Sequence, residues 1–251
     1  MTSLPSRAAL VLAPALCCML ALASRGHASP LAPMVQPDSL RDLPIVEVPA
    51  SGTSTDAMAV ILSGDGGWAD IDRQIGTVLA ADGVPVVGLD SRHYFRHQRT
   101  PEEASRDLAR VIDYYLPKWG KSHVILVGYS HGADVLPFMA ADLPASMRAH
   151  VSEVALLGVA HNANFKFHAI DLVMDRHRQS DFQTLPEIEA LKGMPILCFY
   201  GEKEKDTACR DLGASQATVI AMPGGHHLGR QYQAMAARIF AAGVAAGTPA
   251  H

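Results

Sequence analysis

The sequence predicts an α/β domain in which helices cover both faces of a mostly parallel sheet. Short apolar runs alternate with stretches of helical periodicity along the 251-residue chain, and such alternation is typical of parallel sheets. Most of these runs are apolar without interruption, as in strands buried on both faces. The hydrophobic fraction, 49%, is sufficient for one sizeable core.

The predicted elements follow this alternation in order. Strands are predicted at 45–48 (an edge), 57–62, 84–89, 124–127, 154–159, 196–200 and 218–222. Helices are predicted at 71–81, after Thr100, from Ser130 and at 231–242. The helix after Thr100 has a threonine N-cap, Pro101 at its first position and Glu103 at its third, which are three independent start signals.

Residues 161–190 interrupt the alternation. Phe165, Phe167 and Ala169 alternate with polar residues, which suggests a short strand or hairpin. We expect a small cap insertion here, over the site.

The N-terminus is typical of a secretory signal. Arg7 precedes an apolar run at 8–23, and small residues flank His27, so we expect a signal peptide over 1–28. An uncleaved membrane anchor and a lipoprotein are the alternatives. Residues 29–43 are predicted as a leader rich in proline and serine, and residues 44–245 as the folded domain.

Charge and cysteine usage agree with export. Removing residues 1–28 takes away two basic residues and no acidic one, which changes the formal net charge from −4 to −6. A mildly acidic protein lacks the basic footprint of a nucleic-acid binder. Cys198 and Cys209 remain, and we expect a disulfide between them in an oxidising compartment. Two free thiols are the alternative.

The motif Gly128-Tyr129-Ser130-His131-Gly132 lies between a predicted strand and a predicted helix. This is the context of a nucleophile elbow, in which a serine occupies a strained turn at the end of a strand. The sequence therefore predicts Ser130 as a nucleophile in an α/β-hydrolase fold.

A serine nucleophile needs a base and an acid, which in this fold follow it in the order acid, then histidine. Asp206 is the predicted acid and Glu204 the alternative, in the loop after strand 196–200. His226 is the predicted base and His227 the alternative, in the loop after strand 218–222. No third ligand accompanies the two histidines at a useful spacing, so we expect neither a metal nor a cofactor.

A glycine-rich loop follows strand 57–62 and is expected beside the nucleophile. Backbone N–H groups of Gly64 or Asp65, together with that of His131, are the expected oxyanion donors. Five further residues are expected to contact substrate: Gly66, Trp68, Tyr94, Tyr129 and Asp134. Asp134 is also expected to bond to the glycine-rich loop.

Several segments together resemble the VirJ family of bacterial virulence proteins, which includes the C-terminal domain of AcvB. They are Ser-Gly-Asp-Gly-Gly-Trp-Ala at 63–69, Gly-Leu-Asp-Ser at 88–91, Tyr-Phe at 94–95, Arg-Thr-Pro-Glu at 99–102, Gly-Tyr-Ser-His-Gly-Ala-Asp-Val-Leu-Pro at 128–137, 200–209, and Pro-Gly-Gly-His-His at 223–227. The resemblance covers residues 57–242.

This resemblance implies an α/β-hydrolase in the periplasm of a Gram-negative bacterium. Its AcvB-type members hydrolyse aminoacylated phosphatidylglycerol, notably the lysyl ester, so an aminoacylated phospholipid at a membrane surface is the expected substrate. Two other functions remain open. One is a non-catalytic accessory with a partner in the type IV secretion machinery, and the other is a general carboxylesterase.

Overall fold

The computed structural model describes residues 38–166 and 182–247. The predicted signal peptide, most of the predicted leader, Phe167 and Ala169 lie outside the described residues, and these assignments stay predictions. Within the described part of the chain, no helix combines the length and apolar character needed to cross a membrane.

A seven-stranded sheet forms the centre of the domain, in the order β1-β3-β2-β4-β5-β8-β9. Its strands are β1 Ile45–Val48, β2 Ala57–Leu62, β3 Val86–Leu89, β4 His123–Tyr129, β5 Val151–Leu157, β8 Ile196–Gly201 and β9 Thr218–Met222. Only the edge strand β1 pairs antiparallel among these seven. The predicted fold class is confirmed, and the central strands are apolar because both of their faces are covered.

Helices lie on both faces of the sheet. They are α1 Asp70–Ala81, α2 Ser91–Tyr94, α3 Pro101–Trp119, α4 His131–Ala141, α5 Ala145–Arg148, α6 Thr184–Ala190 and α7 Tyr232–Gly247. α1 and α7 enclose one hydrophobic core with the sheet, and α3 and α4 enclose a second on the opposite face. The carboxyl ends of the parallel strands therefore meet at one edge, where such folds place their sites.

Local chemistry explains where the elements begin and end. Thr100 Oγ1 accepts a hydrogen bond from Glu103 N (3.2 Å), and Glu103 Oε2 accepts one from Thr100 N (3.0 Å), which completes the predicted capping box. β3 begins two residues later than predicted. Val84 N donates to the end of α1 at Leu79 O (2.9 Å) instead of to the sheet, and Pro85 has no N–H to give.

The insertion between β5 and β8 contains a two-stranded hairpin of β6 (Asn162–Ala163) and β7 (Phe182–Gln183), followed by α6. Phe165 lies just outside β6 rather than in a strand. Its ring is fully buried and makes edge-to-face contacts with Phe95, Phe138 and Phe182. An aromatic cluster thus anchors the base of the insertion to the domain.

Candidate active site

Ser130 occupies a strained turn between β4 and α4. Its backbone angles are φ 52° and ψ −125°, a region that residues other than glycine rarely adopt. A Cβ at Gly128 would lie 2.6 Å from Gly132 O, and one at Gly132 would lie 2.2 Å from Leu62 O. The two glycines of the motif are therefore required because backbone fills the space of any side chain.

Ser130, His226 and Glu204 form a hydrogen-bonded chain. The Ser130 hydroxyl lies 2.7 Å from His226 Nε2, and His226 Nδ1 contacts Glu204 Oε1. A serine, an imidazole and a carboxylate in this order can pass a proton from the serine to a histidine that the acid holds in orientation.

Two loops bring the acid and the histidine together. Glu204 follows β8 and is only 8% exposed, and its second oxygen accepts a hydrogen bond from Gly201 N (3.0 Å). His226 follows β9. A Cβ at Gly201 would lie 2.2 Å from Gly225 O, so the absence of a side chain there lets the two loops touch.

Asp206 does not lie where the sequence prediction placed it. Glu204 N donates to Gly201 O (2.9 Å), and this tight turn points Glu204 toward the site and leaves Asp206 beyond it. Asp206 instead contacts His161 Nδ1 at the start of the insertion, and His161 Nε2 contacts Asp211 Oδ2 at 2.7 Å. The expectation that Asp206 orients the histidine is wrong in this geometry, and the alternative, Glu204, is the group in contact with His226.

Sequence reasoning missed Gly158, which follows β5. It has φ +67°, and a Cβ there would lie 3.0 Å from His226 Cε1 and 3.4 Å from Glu204 Oε1. Its glycine leaves room for the histidine and the acid. A glycine directly after a buried apolar strand was the only signal available for it.

The glycine-rich loop lies against Ser130. A Cβ built at Gly64 would come within 3.4 Å of Ser130 Cβ, and Gly67 N donates to Gly64 O (3.0 Å), which closes a turn. His131 is the first residue of α4, where N–H groups point along the helix axis. The predicted oxyanion donors thus lie on two elements that meet at the nucleophile.

A cleft of about 240 Å³ opens beside Ser130. It is lined by Gly64, Asp65, Gly66, Gly67, Ala69, Asp70, Ile71, Asp72, Tyr129, Ser130, His226, His227, Arg230 and Tyr232. A larger groove of about 860 Å³ runs along α3 and the start of α5. That groove contains none of the three hydrogen-bonded residues, so the chemistry, and not the volume, identifies the smaller cleft as the candidate site.

The residues expected to contact substrate divide into two groups. Gly66 and Tyr129 line the cleft, and the Tyr129 hydroxyl lies 3.1 Å from Nδ1 of His227, the alternative base. Trp68 and Tyr94 do not line it. A Cβ at Gly88 would lie 2.4 Å from the Trp68 ring, so that ring packs on the sheet.

Tyr94 and Asp134 also differ from expectation. Tyr94 is 2% exposed and donates its hydroxyl hydrogen bond to Asp107 Oδ2 (2.6 Å), so it belongs to the core. Asp134 does not bond to the glycine-rich loop. Its Oδ1 accepts a hydrogen bond from Ala160 N (2.7 Å), which ties α4 to the segment after β5.

Several pKa values at the site depart from their ordinary range. The hydrogen bond to Glu204 raises the pKa of His226, which makes the imidazole a stronger base. Desolvation raises the pKa of Asp134 to about 8 and that of Asp72 to about 7. Perturbed groups of this kind cluster at functional sites.

The loop that carries Glu204 is held at its far end. The predicted disulfide Cys198–Cys209 is present, with Cα atoms 5.6 Å apart. Arg210 donates to Glu204 O (2.7 Å) and Glu202 O (2.9 Å). Among residues 38–166 and 182–247, no cluster of three or more His, Cys, Asp or Glu side chains is arranged to hold a metal ion.

Comparison with solved structures supports the fold. The chain resembles the structure described as "Ferulic Acid bound to Est1E from Butyrivibrio proteoclasticus" over 79% of this chain and 93% of that one, with 13% identity and a TM-score of 0.53. It also resembles XC6422 from Xanthomonas campestris, which is described as a serine hydrolase without a lid. The match covers 82% of this chain and 90% of that one, with 14% identity and a TM-score of 0.52. A proline iminopeptidase from Mycobacterium smegmatis matches over 80% of this chain and 95% of its own, with 11% identity and a TM-score of 0.56.

At these identities the likeness establishes the fold alone, which is that of the α/β-hydrolases. The comparison with curated proteins found no match. A sequence model of the family described as "Bacterial virulence protein (VirJ)" matches residues 56–245, which is most of the chain and includes every residue of the hydrogen-bonded chain described above. This protein is therefore a member of the VirJ family.

Proposed function

We propose that this protein is a serine hydrolase that cleaves carboxylic esters. The observation that carries the proposal is the chain Ser130–His226–Glu204, in which the hydroxyl lies 2.7 Å from the imidazole nitrogen that would take its proton. The strained backbone at Ser130 supports it, because strain of this kind is kept where function requires it.

In the acylation step, Ser130 Oγ attacks the ester carbonyl carbon while His226 Nε2 takes the hydroxyl proton. The carbonyl oxygen becomes an oxyanion, which N–H groups of His131 and of Gly64 or Asp65 would stabilise. Glu204 holds the Nδ1–H and stabilises the imidazolium. The tetrahedral intermediate collapses as His226 gives its proton to the leaving alcohol, and an acyl-enzyme remains on Ser130.

In the deacylation step, water replaces the alcohol. His226 takes a proton from the water as its oxygen attacks the acyl carbon, and then returns that proton to Ser130 Oγ as the carboxylic acid leaves. Each turnover therefore consumes one water and releases one alcohol and one acid.

For the substrate, we propose an aminoacyl ester of phosphatidylglycerol of the lysyl type, as the family resemblance implies. The charge distribution of the cleft supports this choice. The acidic residues Asp65, Asp70 and Asp72 line the cleft together with Arg230. A substrate that carries both a cationic acyl group and an anionic phosphate matches a cleft lined by carboxylates and an arginine.

The test compares the wild-type protein with Ser130→Ala. Wild type should react with a fluorophosphonate probe and release lysine from lysyl-phosphatidylglycerol in mixed micelles. The variant should lose labelling and at least about three orders of magnitude in rate. Thin-layer chromatography of the lipid follows the reaction, and the folded state of the variant is checked by its melting temperature.

The other outcomes identify the remaining functions. Cleavage of short neutral esters without cleavage of the aminoacyl lipid would identify a general carboxylesterase. Undiminished labelling of Ser130→Ala would refute the nucleophile. Inactivity of the wild type toward every ester and toward the probe would favour a non-catalytic accessory.

A further inference from the structure

Asp72 is a buried carboxylate in the wall of the cleft. It lies in the first turn of α1 and is 2% exposed. Oδ2 accepts a long hydrogen bond from Ala69 N (3.3 Å). Oδ1 has no hydrogen-bond partner among the described residues, although the residue lines the same cleft as Ser130.

Leaving such an oxygen unpaired is costly. A buried polar group without a partner loses its hydration and gains nothing in exchange, so native structures rarely keep one. The capping contact with Ala69 accounts for Oδ2 alone. The unpaired oxygen belongs to a residue that lines the same cleft as Ser130, and it therefore indicates a partner that arrives with the ligand.

The surroundings of Asp72 favour a cation as that partner. Desolvation is the largest cause of the raised pKa of Asp72, Asp90 raises it further, and Arg73 lowers it. Arg73 is engaged by Asp70 on the helix surface (3.3 Å). Desolvation raises the pKa of the Tyr129 hydroxyl, and the charges of Asp72, Asp65 and Glu204 raise it further, so carboxyl groups act on this part of the cleft.

We infer that Asp72 Oδ1 receives a primary ammonium group carried by the acyl part of the substrate. This inference rests on the proposed function and adds the residue that selects the acyl group. With the ester carbonyl at Ser130, the ammonium pairs with Asp72, and Arg230, which lines the same cleft, is the partner of the anionic leaving part. Asp72 is then a specificity residue, and the chemical step does not require it.

The test uses two glycerol esters that differ only at the end of the acyl chain, 6-aminohexanoyl-glycerol and 6-acetamidohexanoyl-glycerol. The first is cationic and the second is neutral. Asp72→Asn keeps an oxygen for Ala69 N and removes the charge. We expect kcat/KM for the cationic ester to fall about 10- to 100-fold, as for the loss of a charge-assisted hydrogen bond. The value for the neutral ester should stay within about two-fold.

The wild-type protein provides a second readout that needs no variant. The ratio of kcat/KM for the cationic ester to that for the neutral one cancels the titration of His226, which both reactions share. Because the pKa of Asp72 is about 7, the ratio should rise as pH increases from 6 to 8. The alkyl ammonium stays charged over this range. Asp72→Asn should flatten the dependence.

Asp70→Asn is the matched comparison, since Asp70 lies in the same turn but is exposed and paired with Arg73. A loss as large as that of Asp72→Asn would assign the effect to the general field of the wall and overturn the inference. Equal losses on both esters, or a rise of the ratio with pH that persists unchanged in Asp72→Asn, would overturn it as well. In all these cases the esterase proposal stands, whereas a wild type that cleaves neither ester and ignores the fluorophosphonate probe refutes the proposed function itself.

Discussion

At Ser130 a single residue combines local strain with long-range support. A serine with positive φ costs about 1–3 kcal/mol, and the neighbouring strand offsets part of this cost because Ser130 N donates to Leu157 O (2.9 Å). His226 and Glu204 reach the same point from separate loops. The chemical role of each of these residues therefore depends on the side chain to which it is hydrogen-bonded.

The identity of the acid is tested by Glu204→Gln and its matched control Asp206→Asn. Glu204→Gln should lower kcat by about two to four orders of magnitude, because the imidazole loses the carboxylate that orients and stabilises it. Asp206→Asn should change kcat by no more than a few-fold, since Asp206 contacts His161. Steady-state kinetics on one ester is sufficient, and the opposite ranking of the two variants would restore Asp206 as the acid.

Glu204→Gln also tests how kcat/KM depends on pH. Only neutral His226 accepts a proton, and Glu204 raises the pKa of His226 above the ordinary value of 6.5. The rate should therefore fall as pH drops through this raised pKa, and Glu204→Gln should move the acidic limb of kcat/KM to lower pH. A limb that does not move would show that Glu204 leaves the base unaffected.

At the scale of the element, the loop after β8 is positioned by contacts at both ends. The disulfide joins Cys198 within β8 to Cys209 in the short 3₁₀ helix beyond the loop. Arg210 bonds to two carbonyls of the loop and its guanidinium lies over the Tyr200 ring (4.7 Å). Between these points Glu204 has little freedom to leave His226.

Reduction of the disulfide should lower activity before the domain unfolds. The bond closes a loop with a sequence separation of 11, which contributes about 2–3 kcal/mol in the chain-entropy model. We expect a several-fold fall in kcat under dithiothreitol at a temperature where circular dichroism is unchanged.

The double variant Cys198→Ala/Cys209→Ala serves as the control. Its kcat should be lowered from the start and should not change when dithiothreitol is added. Mass spectrometry of the oxidised wild type should find no alkylatable thiol at either position. Full activity of the double variant would show that the loop keeps its position without the disulfide.

At the scale of the whole molecule, the domain contains a buried ionisable side chain that takes no part in the candidate site. Glu153 in β5 is 0% exposed, and neither of its oxygens has a hydrogen-bond partner among the described residues. By strand alternation it lies on the face of Ala155 and Leu157, toward α1 and α7. Desolvation raises its pKa to about 9, so the folded protein keeps this carboxyl protonated at neutral pH.

This group should make the fold less stable as pH rises. The unfolded chain loses the Glu153 proton near pH 4.3, while the folded protein keeps it until about pH 9. Between these values the folded state binds more protons than the unfolded state, so the free energy of unfolding decreases with pH. Above about pH 9 the effect levels off.

Glu153→Gln removes this titration with little change in shape. Its melting temperature relative to wild type should increase steadily from pH 5 to pH 9, by about 2–4 °C for each kcal/mol. Calorimetry of both proteins at several pH values measures the difference, from which all shared titrations cancel. A difference that is constant over this range would mean that Glu153 is ionised in the folded protein.

Much of the fold followed from sequence because it depends on neighbours in the chain. Apolar runs predicted the strands, Thr100 and its capping partner predicted the start of α3, and the glycines around Ser130 predicted the elbow. In each case the physical cause lies within a few residues, as a hydrogen bond to the next turn or a clash that only glycine avoids.

The tertiary structure decided what depends on residues distant in sequence. Glu204 and Asp206 are two positions apart and chemically alike, and the choice between them depends on a turn at Gly201 and on His161, which is 45 residues away from Asp206. Trp68 and Tyr94 belong to segments that predicted the site, yet the first packs against the sheet and the second lies in the core. By itself the sequence determined the class of the nucleophile and the order of the elements. The partner of each side chain was decided by packing, because contact between loops that follow separate strands leaves no periodic pattern in the chain.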